Sequence, residues 1–259
     1  MGKRRPGWDY HHYLRYLREG RGQGEGSDYK PWIYIHDFPS CGMSVRVPGK
    51  TTGRIHHLLS RNEEYYFYIL DADPDVTDIR EQFPLRLTET MEIARRMNIR
   101  HPWKGSFPFV MTTDFLITKT DGIHARTVKC SVELDSPRVV EKFSIESRYW
   151  SDKGVDWKIV TERQIDRELA LNLQWLDSGD KPEILVPDTE IREALKREVL
   201  GMVDDRGLLP TNCITVLEKR FPVPPGSAIS IYKSLVLDGS LAPNLRQKLF
   251  FCKERKRFL

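Results

Sequence analysis

Asp114, Thr127 and Lys129 stand on the two arms of one apparent hairpin. From Val110 to Lys129 the chain reads VMTTDFLITKTDGIHARTVK, two β-rich runs around Asp121-Gly122. An Asp-Gly pair between apolar runs is a hairpin signal, because both central residues of a type I′ turn need positive φ. With Asp121-Gly122 as the turn, Asp114 faces Lys129, and Thr127 shares their side of the ribbon. A carboxylate and an ammonium are thereby aimed at one point. That pairing suits metal-dependent phosphodiester chemistry, in which a carboxylate holds Mg2+ and a lysine orients the attacking water or stabilises negative charge. A cross-strand salt bridge on a solvated face uses the same residues.

Two further carboxylates lie where apolar residues are expected. Ser60-Arg61-Asn62-Glu63 is a capping box, which gives Glu63 a structural use. Glu63 also shares a helical stripe with Phe67 and Leu70, so it sits on the inward face. Glu146 interrupts the stripe of Phe143 and Trp150 on a helix that starts at Ser136-Pro137. A carboxylate there needs a partner: an arginine, hydrogen-bond donors or a metal. His101, before Pro102-Trp103, reads as a loop or packing histidine.

The elements that must position these groups read as follows. A helix covers 8–18, and the glycine-rich GRGQGEG of 20–26 follows it as a flexible cationic loop. That loop lacks the preceding strand and the Gly-Lys-Ser/Thr of a nucleotide-binding loop. Strand 43–49 and a turn at 51–54 lead to the helix from Ser60. Strand 76–83 is closed by Pro84, helix 88–98 is capped by Thr88, and after the hairpin come helix 137–152, strand 156–161 and helix 162–176. This is mixed α/β, with helices flanking a central sheet. A linker at 178–182 precedes three helices, 188–203, 211–220 and 227–237, and a possible β-wing at 241–251, the order of a winged helix. The expected domains are thus 1–176 and 177–259.

Composition excludes several classes. The chain has 259 residues, 30% of them charged, and a net charge of +4. That balance is below what a protein living on bulk phosphate contacts would show, and only Lys233 is basic within 227–237, which argues against strong groove binding by the last helix. No apolar run is long enough to span a membrane, and the charged N-terminus lacks the apolar core of a signal peptide. Cys41, Cys130, Cys213 and Cys252 form no CxxC pair, so neither a zinc site nor a disulfide framework is indicated. A reduced, cytoplasmic protein is the expectation. The basic run Lys253–Arg257 is a solvated end or a phosphate contact.

In order, a helix Glu63, a strand Asp114 and a following Thr127-Val128-Lys129 make the layout of PD-(D/E)xK nucleases, whose oxygen ligands suit hard Mg2+. The chain also resembles the TnsA-type endonuclease subunits of Tn7-type heteromeric transposases. The resemblance rests on EGRGQG (19–24), Pro31-Trp32, TGRIHHLLS (52–60), DIREQFPL (78–85), MTTDFL (111–116), Val128-Lys129 and Arg148-Tyr149-Trp150. It covers most of the first 165 residues and extends more loosely to Ile231-Tyr232-Lys233-Ser234. It implies a restriction-endonuclease-like N-terminal domain and a winged-helix C-terminal domain. It implies Glu63, Asp114 and Lys129 as catalytic residues, with Glu63, Asp114, Thr127 and Glu146 around Mg2+, for which Mn2+ can substitute. Where relatives carry glutamine or glutamate, this chain has Thr127, a poorer ligand unless its backbone carbonyl serves. The implied activity is cleavage of one strand at the 5′ ends of a transposon. The implied partners are transposon-end DNA, a TnsB-like DDE transposase and a TnsC-like ATPase regulator. A weakened nuclease kept as an architectural subunit, and a stand-alone nuclease, remain the alternatives.

Overall fold

A computed structural model describes residues 8–37 and 44–249. The basic run Lys253–Arg257, Cys41, Cys252 and the two ends of the expected 43–49 and 241–251 strands at residues 43 and 250–251 lie outside them. In chain order the elements are α1 (Tyr10–Arg18), β1 (Val45–Pro48), β2 (Ile55–Leu58), α2 (Arg61–Asp71), β3 (Val76–Pro84), α3 (Leu87–Arg96), β4 (Trp103–Lys104), β5 (Phe107–Pro108), β6 (Thr112–Lys119), β7 (Gly122–Val128), α4 (Pro137–Ser151), β8 (Asp156–Val160), α5 (Arg167–Leu176), α6 (Pro182–Leu185), α7 (Thr189–Met202), α8 (Thr211–Arg220) and α9 (Ser227–Leu237). The chain divides into two compact units after Ile165, so α5 falls in the second.

The first unit is built on a four-stranded sheet ordered β3-β6-β7-β8, antiparallel except for the parallel β7–β8 pair. Alternation along β6 serves both faces. Phe115 and Ile117 pack with Phe67 and Leu70 of α2, whereas Leu116 packs with Ile93 of α3 and with Ile145 and Trp150 of α4. Both faces are therefore covered by helices. Phe115 is wholly buried, and truncating it to alanine would cost about 3–5 kcal/mol.

The hairpin register differs from the expected one. Phe115 pairs with Arg126 and Lys119 with Gly122, leaving Thr120 and Asp121 as the turn residues. Among the described residues only Gln82 and Asn98 are non-glycines at positive φ, so no type I′ turn forms; Gly122 alone takes φ 135°. The slip carries position 127, not Lys129, opposite Asp114. A shift of two keeps every side chain on its face.

Other boundaries moved for local reasons. Arg86, not Thr88, precedes α3, and it makes no side-chain cap. Residues 162–165 stay out of α5 because Gln164 Oε1 accepts the Thr161 N–H at 2.6 Å, closing a turn, and Asp166 then caps Leu169 N. The glycine-rich loop is neither free nor cationic. Arg21 is 6% exposed and donates to Asp37 Oδ2 at 2.5 Å and to Trp32 O at 3.1 Å. At Gly22, with φ 74°, a Cβ would stand 2.2 Å from Pro84 Cγ. The loop is thus a buttress packed on the end of β3.

The second unit is helical. α9 is apolar nearly all round and sits at its centre, with Ala228, Ile231, Tyr232 and Leu235 against Leu195, Val199 and Leu217 of α7 and α8. Asp188 caps α7 through Glu190 N and Ile191 N. The expected wing does not form within 241–249, where no strand is present among the described residues. Pro243 has no N–H to give a ladder. Asn172 Nδ2 donates to Leu245 O and Gln247 O at 2.8 and 2.9 Å, so these carbonyls are engaged by a side chain instead.

Candidate active site

The sheet opens where the carboxylates meet. The β6–β7 ladder ends at Phe115–Arg126, and the strands part beyond it. Asp114 reaches into the fork, where its Oδ2 accepts the Val128 N–H at 2.8 Å. Ser60 caps α2, its side chain accepting from Glu63 N at 3.2 Å. The other half of the expected capping box is shifted by one residue, since Glu63 Oε2 accepts from Leu59 N at 2.9 Å. This leaves the Glu63 carboxyl turned inward and 5% exposed.

Glu63 and Asp114 are joined by Gln82. Its Nε2 donates to Asp114 Oδ1 at 3.1 Å and lies 3.4 Å from Glu63 Oε2. No ion pair is formed by either carboxylate among the described residues. Burial pushes the Glu63 carboxyl up to about 8, with the Asp114 charge adding to it. Burial likewise raises Asp114 to about 6, against the opposing bonds from Val128 and Gln82 and the charge of Lys129. Glu63, buried, and Asp114, half-buried, thus share one amide donor, and the Asp114 charge discourages ionisation of Glu63. A hard divalent cation, which needs only one or two carboxylates plus carbonyl oxygens and water, fits that pair.

Glu146 sits apart from this pair. Its Oε1 accepts from Thr113 Oγ1 at 2.6 Å and from Thr127 Oγ1 at 2.5 Å. Those hydroxyls accept in turn from Trp150 Nε1 at 2.7 Å and Trp157 Nε1 at 3.2 Å. Burial raises Glu146 to about 7 despite the two hydroxyl donors, and the Asp114 charge adds to the shift. The expected partner of this helix carboxylate is therefore a pair of threonines, and the Thr127 hydroxyl is committed to it. Among the described residues no three His, Cys, Asp or Glu side chains converge as a metal cluster.

Lys129 follows β7 directly and is about one-third exposed. Its ammonium pairs with Glu133 at 2.6 Å rather than lying across from Asp114, a consequence of the register. Its charge still reaches Asp114. His101 takes the packing role, with Nε2 3.0 Å from Thr90 Oγ1 and Nδ1 3.0 Å from Pro102 O.

Sequence reasoning missed Gln82. It lies within a run, Asp78-Ile79-Arg80-Glu81-Gln82, that is buried yet mostly polar. Polar residues crowded into a central strand are the signal that marks it. Its φ of 49° is left-handed, a strain of about 1–3 kcal/mol for a non-glycine residue.

Residues 73–162 match the family of the TnsA-like endonuclease N terminal domain. That span holds Asp114, Thr127, Lys129 and Glu146, and Glu63 lies shortly before it. The chain is also 42% identical over 173 residues to the Transposon Tn7 transposition protein TnsA of Escherichia coli, an alignment covering 66% of this chain and 63% of that protein. The match thus spans less than two thirds of the relative's length. Sheet, site and similarity coincide in the first unit, which holds the residues similar to the TnsA-like endonuclease N terminal domain.

Proposed function

We propose that this chain is the metal-dependent DNA endonuclease subunit of a Tn7-like transposase, cutting the non-transferred strand at the 5′ ends of the transposon during cut-and-paste transposition. The observation that carries the reading is the Glu63–Asp114 pair, bridged by the Gln82 amide and engaged in no ion pair among the described residues. Glu63 and Asp114 hold Mg2+, or Mn2+ in its place, which when bound supplies Lewis-acid activation of water and neutralises the scissile phosphate. The Val128 N–H fixes the Asp114 carboxylate so that it needs no reorganisation. Lys129, on the short segment after β7, leaves Glu133 for the more strongly charged phosphate and stabilises its developing charge. Thr127 contributes through its backbone, since its hydroxyl is donated to Glu146. Glu146 shapes the wall behind Asp114. The unit is thereby read as a PD-(D/E)xK nuclease fold. The helical second unit is read as a winged-helix relative that docks protein, the ATPase regulator, rather than DNA.

The engagement of Lys129 with Glu133 favours one other reading, an architectural subunit with a weakened site. Strand cleavage decides between them. On labelled transposon-end DNA with Mg2+, the wild-type chain with its partner DDE transposase is expected to cut the 5′ strand, and the chain alone to cut little. Asp114→Ala or Lys129→Ala should lower that cleavage by about 10²-fold or more. Unchanged cleavage in both variants would leave the chain as a scaffold.

A further inference from the structure

Gln82 has the geometry of a ligand held in reserve. It stands opposite Asp114 across the β3–β6 ladder, between the pairs Glu81–Phe115 and Phe83–Thr113. Its side chain is 2% exposed, and its backbone is left-handed where no glycine relieves the strain. The conformation is clamped from outside, since Gln82 O accepts from Trp32 N at 3.2 Å. What the strained backbone achieves is the aim of the amide. One NH2 group spans Asp114 Oδ1 and Glu63 Oε2, the place a bridging cation would take. The other end, Oε1, accepts from Thr112 Oγ1 at 3.1 Å.

We infer that Gln82 is a third ligand of the divalent cation, delivering its Oε1 after a half-turn of the side-chain amide. The inference rests on the metal-dependent reading of Glu63 and Asp114 given above. The amide has nitrogen and oxygen at equivalent positions, so a half-turn exchanges them without moving the backbone. The terminal torsion of a glutamine is broad and roughly two-fold, so the turn is open to it. Thr112 does not oppose it, because a hydroxyl can accept from NH2 as readily as it donates to a carbonyl. Without metal, two carboxylates call for donors and receive the NH2. With metal, they receive the cation, and the neutral carbonyl oxygen completes an oxygen set of the kind hard divalent ions prefer.

Titration calorimetry with Mn2+ on the full chain tests this, with wild type, Gln82→Leu, Gln82→Glu and Asp114→Ala compared and the fold of each checked by circular dichroism. The expected result is Mn2+ binding by wild type that Asp114→Ala abolishes, weakening by tenfold or more in Gln82→Leu, and binding at least as tight as wild type in Gln82→Glu. Mn2+ binding by Gln82→Leu that equals or exceeds wild type overturns the inference, since an amide that merely blocks the cation would be removed to its benefit. Should Gln82→Leu fail to fold, a Mn2+-induced rise in melting temperature smaller in Gln82→Glu than in wild type overturns it equally. Absence of Mn2+ binding in wild type itself would instead remove the metal-dependent reading on which the inference stands.

Discussion

Glu81 and Gln82 are neighbours on β3, yet they belong to opposite electrostatic solutions. Glu81 is wholly buried and receives Arg54 at 2.8 and 2.5 Å, His56 Nδ1 at 2.8 Å and the His57 N–H at 3.0 Å. Despite burial, the Arg54 and His56 bonds hold its carboxyl down to about 2. One residue on, Gln82 joins Glu63 and Asp114, which burial raises to about 8 and 6, the latter against the charge of Lys129, and neither of which forms an ion pair among the described residues. The same strand thus carries a finished ion-pair network and an unfinished one. A network closed by the chain's own residues serves the fold. One left without an ion-pair partner is where the proposed function puts the chemistry.

Removing one partner from the closed network has the largest expected effect. Arg54→Ala leaves Glu81 buried with too little positive charge and should lower stability by about 3–5 kcal/mol in urea unfolding at pH 7. The matching change in the open network, Glu63→Gln, should leave metal-free stability equal or higher. Equal losses for both would erase the distinction.

The second prediction concerns pH. Glu63, Asp114 and Glu146 have folded-state values raised to about 8, 6 and 7. Between roughly pH 4 and 8 the folded chain therefore binds more protons than the unfolded one, and its stability falls as pH rises. The loss for the metal-free protein should be on the order of a few kcal/mol from pH 5 to pH 8. Glu81, depressed to about 2, does not offset it there, because its contribution is complete above the unfolded value. Thermal unfolding across this range should show the decline, and saturating Mg2+ should flatten it. A decline that Mg2+ leaves untouched would separate the carboxylates from metal binding.

The smallest effect belongs to the intermediate case. Glu146 is compensated by hydroxyls, not by charge. Thr127→Val removes one donor from it and one acceptor from Trp157, and should cost about 1–2 kcal/mol. The cost should grow above pH 7, where Glu146 ionises. Denaturant midpoints at pH 5 and pH 8 measure both.

Much of this was legible in the sequence, because it depended on periodicity. The inward stripes of Glu63 and Glu146 follow from helical spacing, and the shared face of the hairpin residues survived because the register slipped by two. The identity of the partners was less accessible. The turn at Thr120-Asp121 places its one positive φ on Gly122 after the turn, so the Asp-Gly pair was correctly a turn signal with the wrong centre. Lys129 found Glu133 on a short helical turn that follows the strand, a contact no hairpin argument contains. Gln82 depends on a left-handed backbone whose carbonyl accepts from the Trp32 N–H, a contact from outside the sheet. Pro243 carried the signal against a wing.

The hold on Asp114 has a consequence for how such a site can drift. Its carboxylate is anchored by a main-chain N–H, and every residue type except proline supplies one. Position 128 is thus free to vary with the hydrophobic core behind it while the anchor stays constant. The instruction that fixes the aspartate is written in the parting of two strands, where no single side chain can lose it.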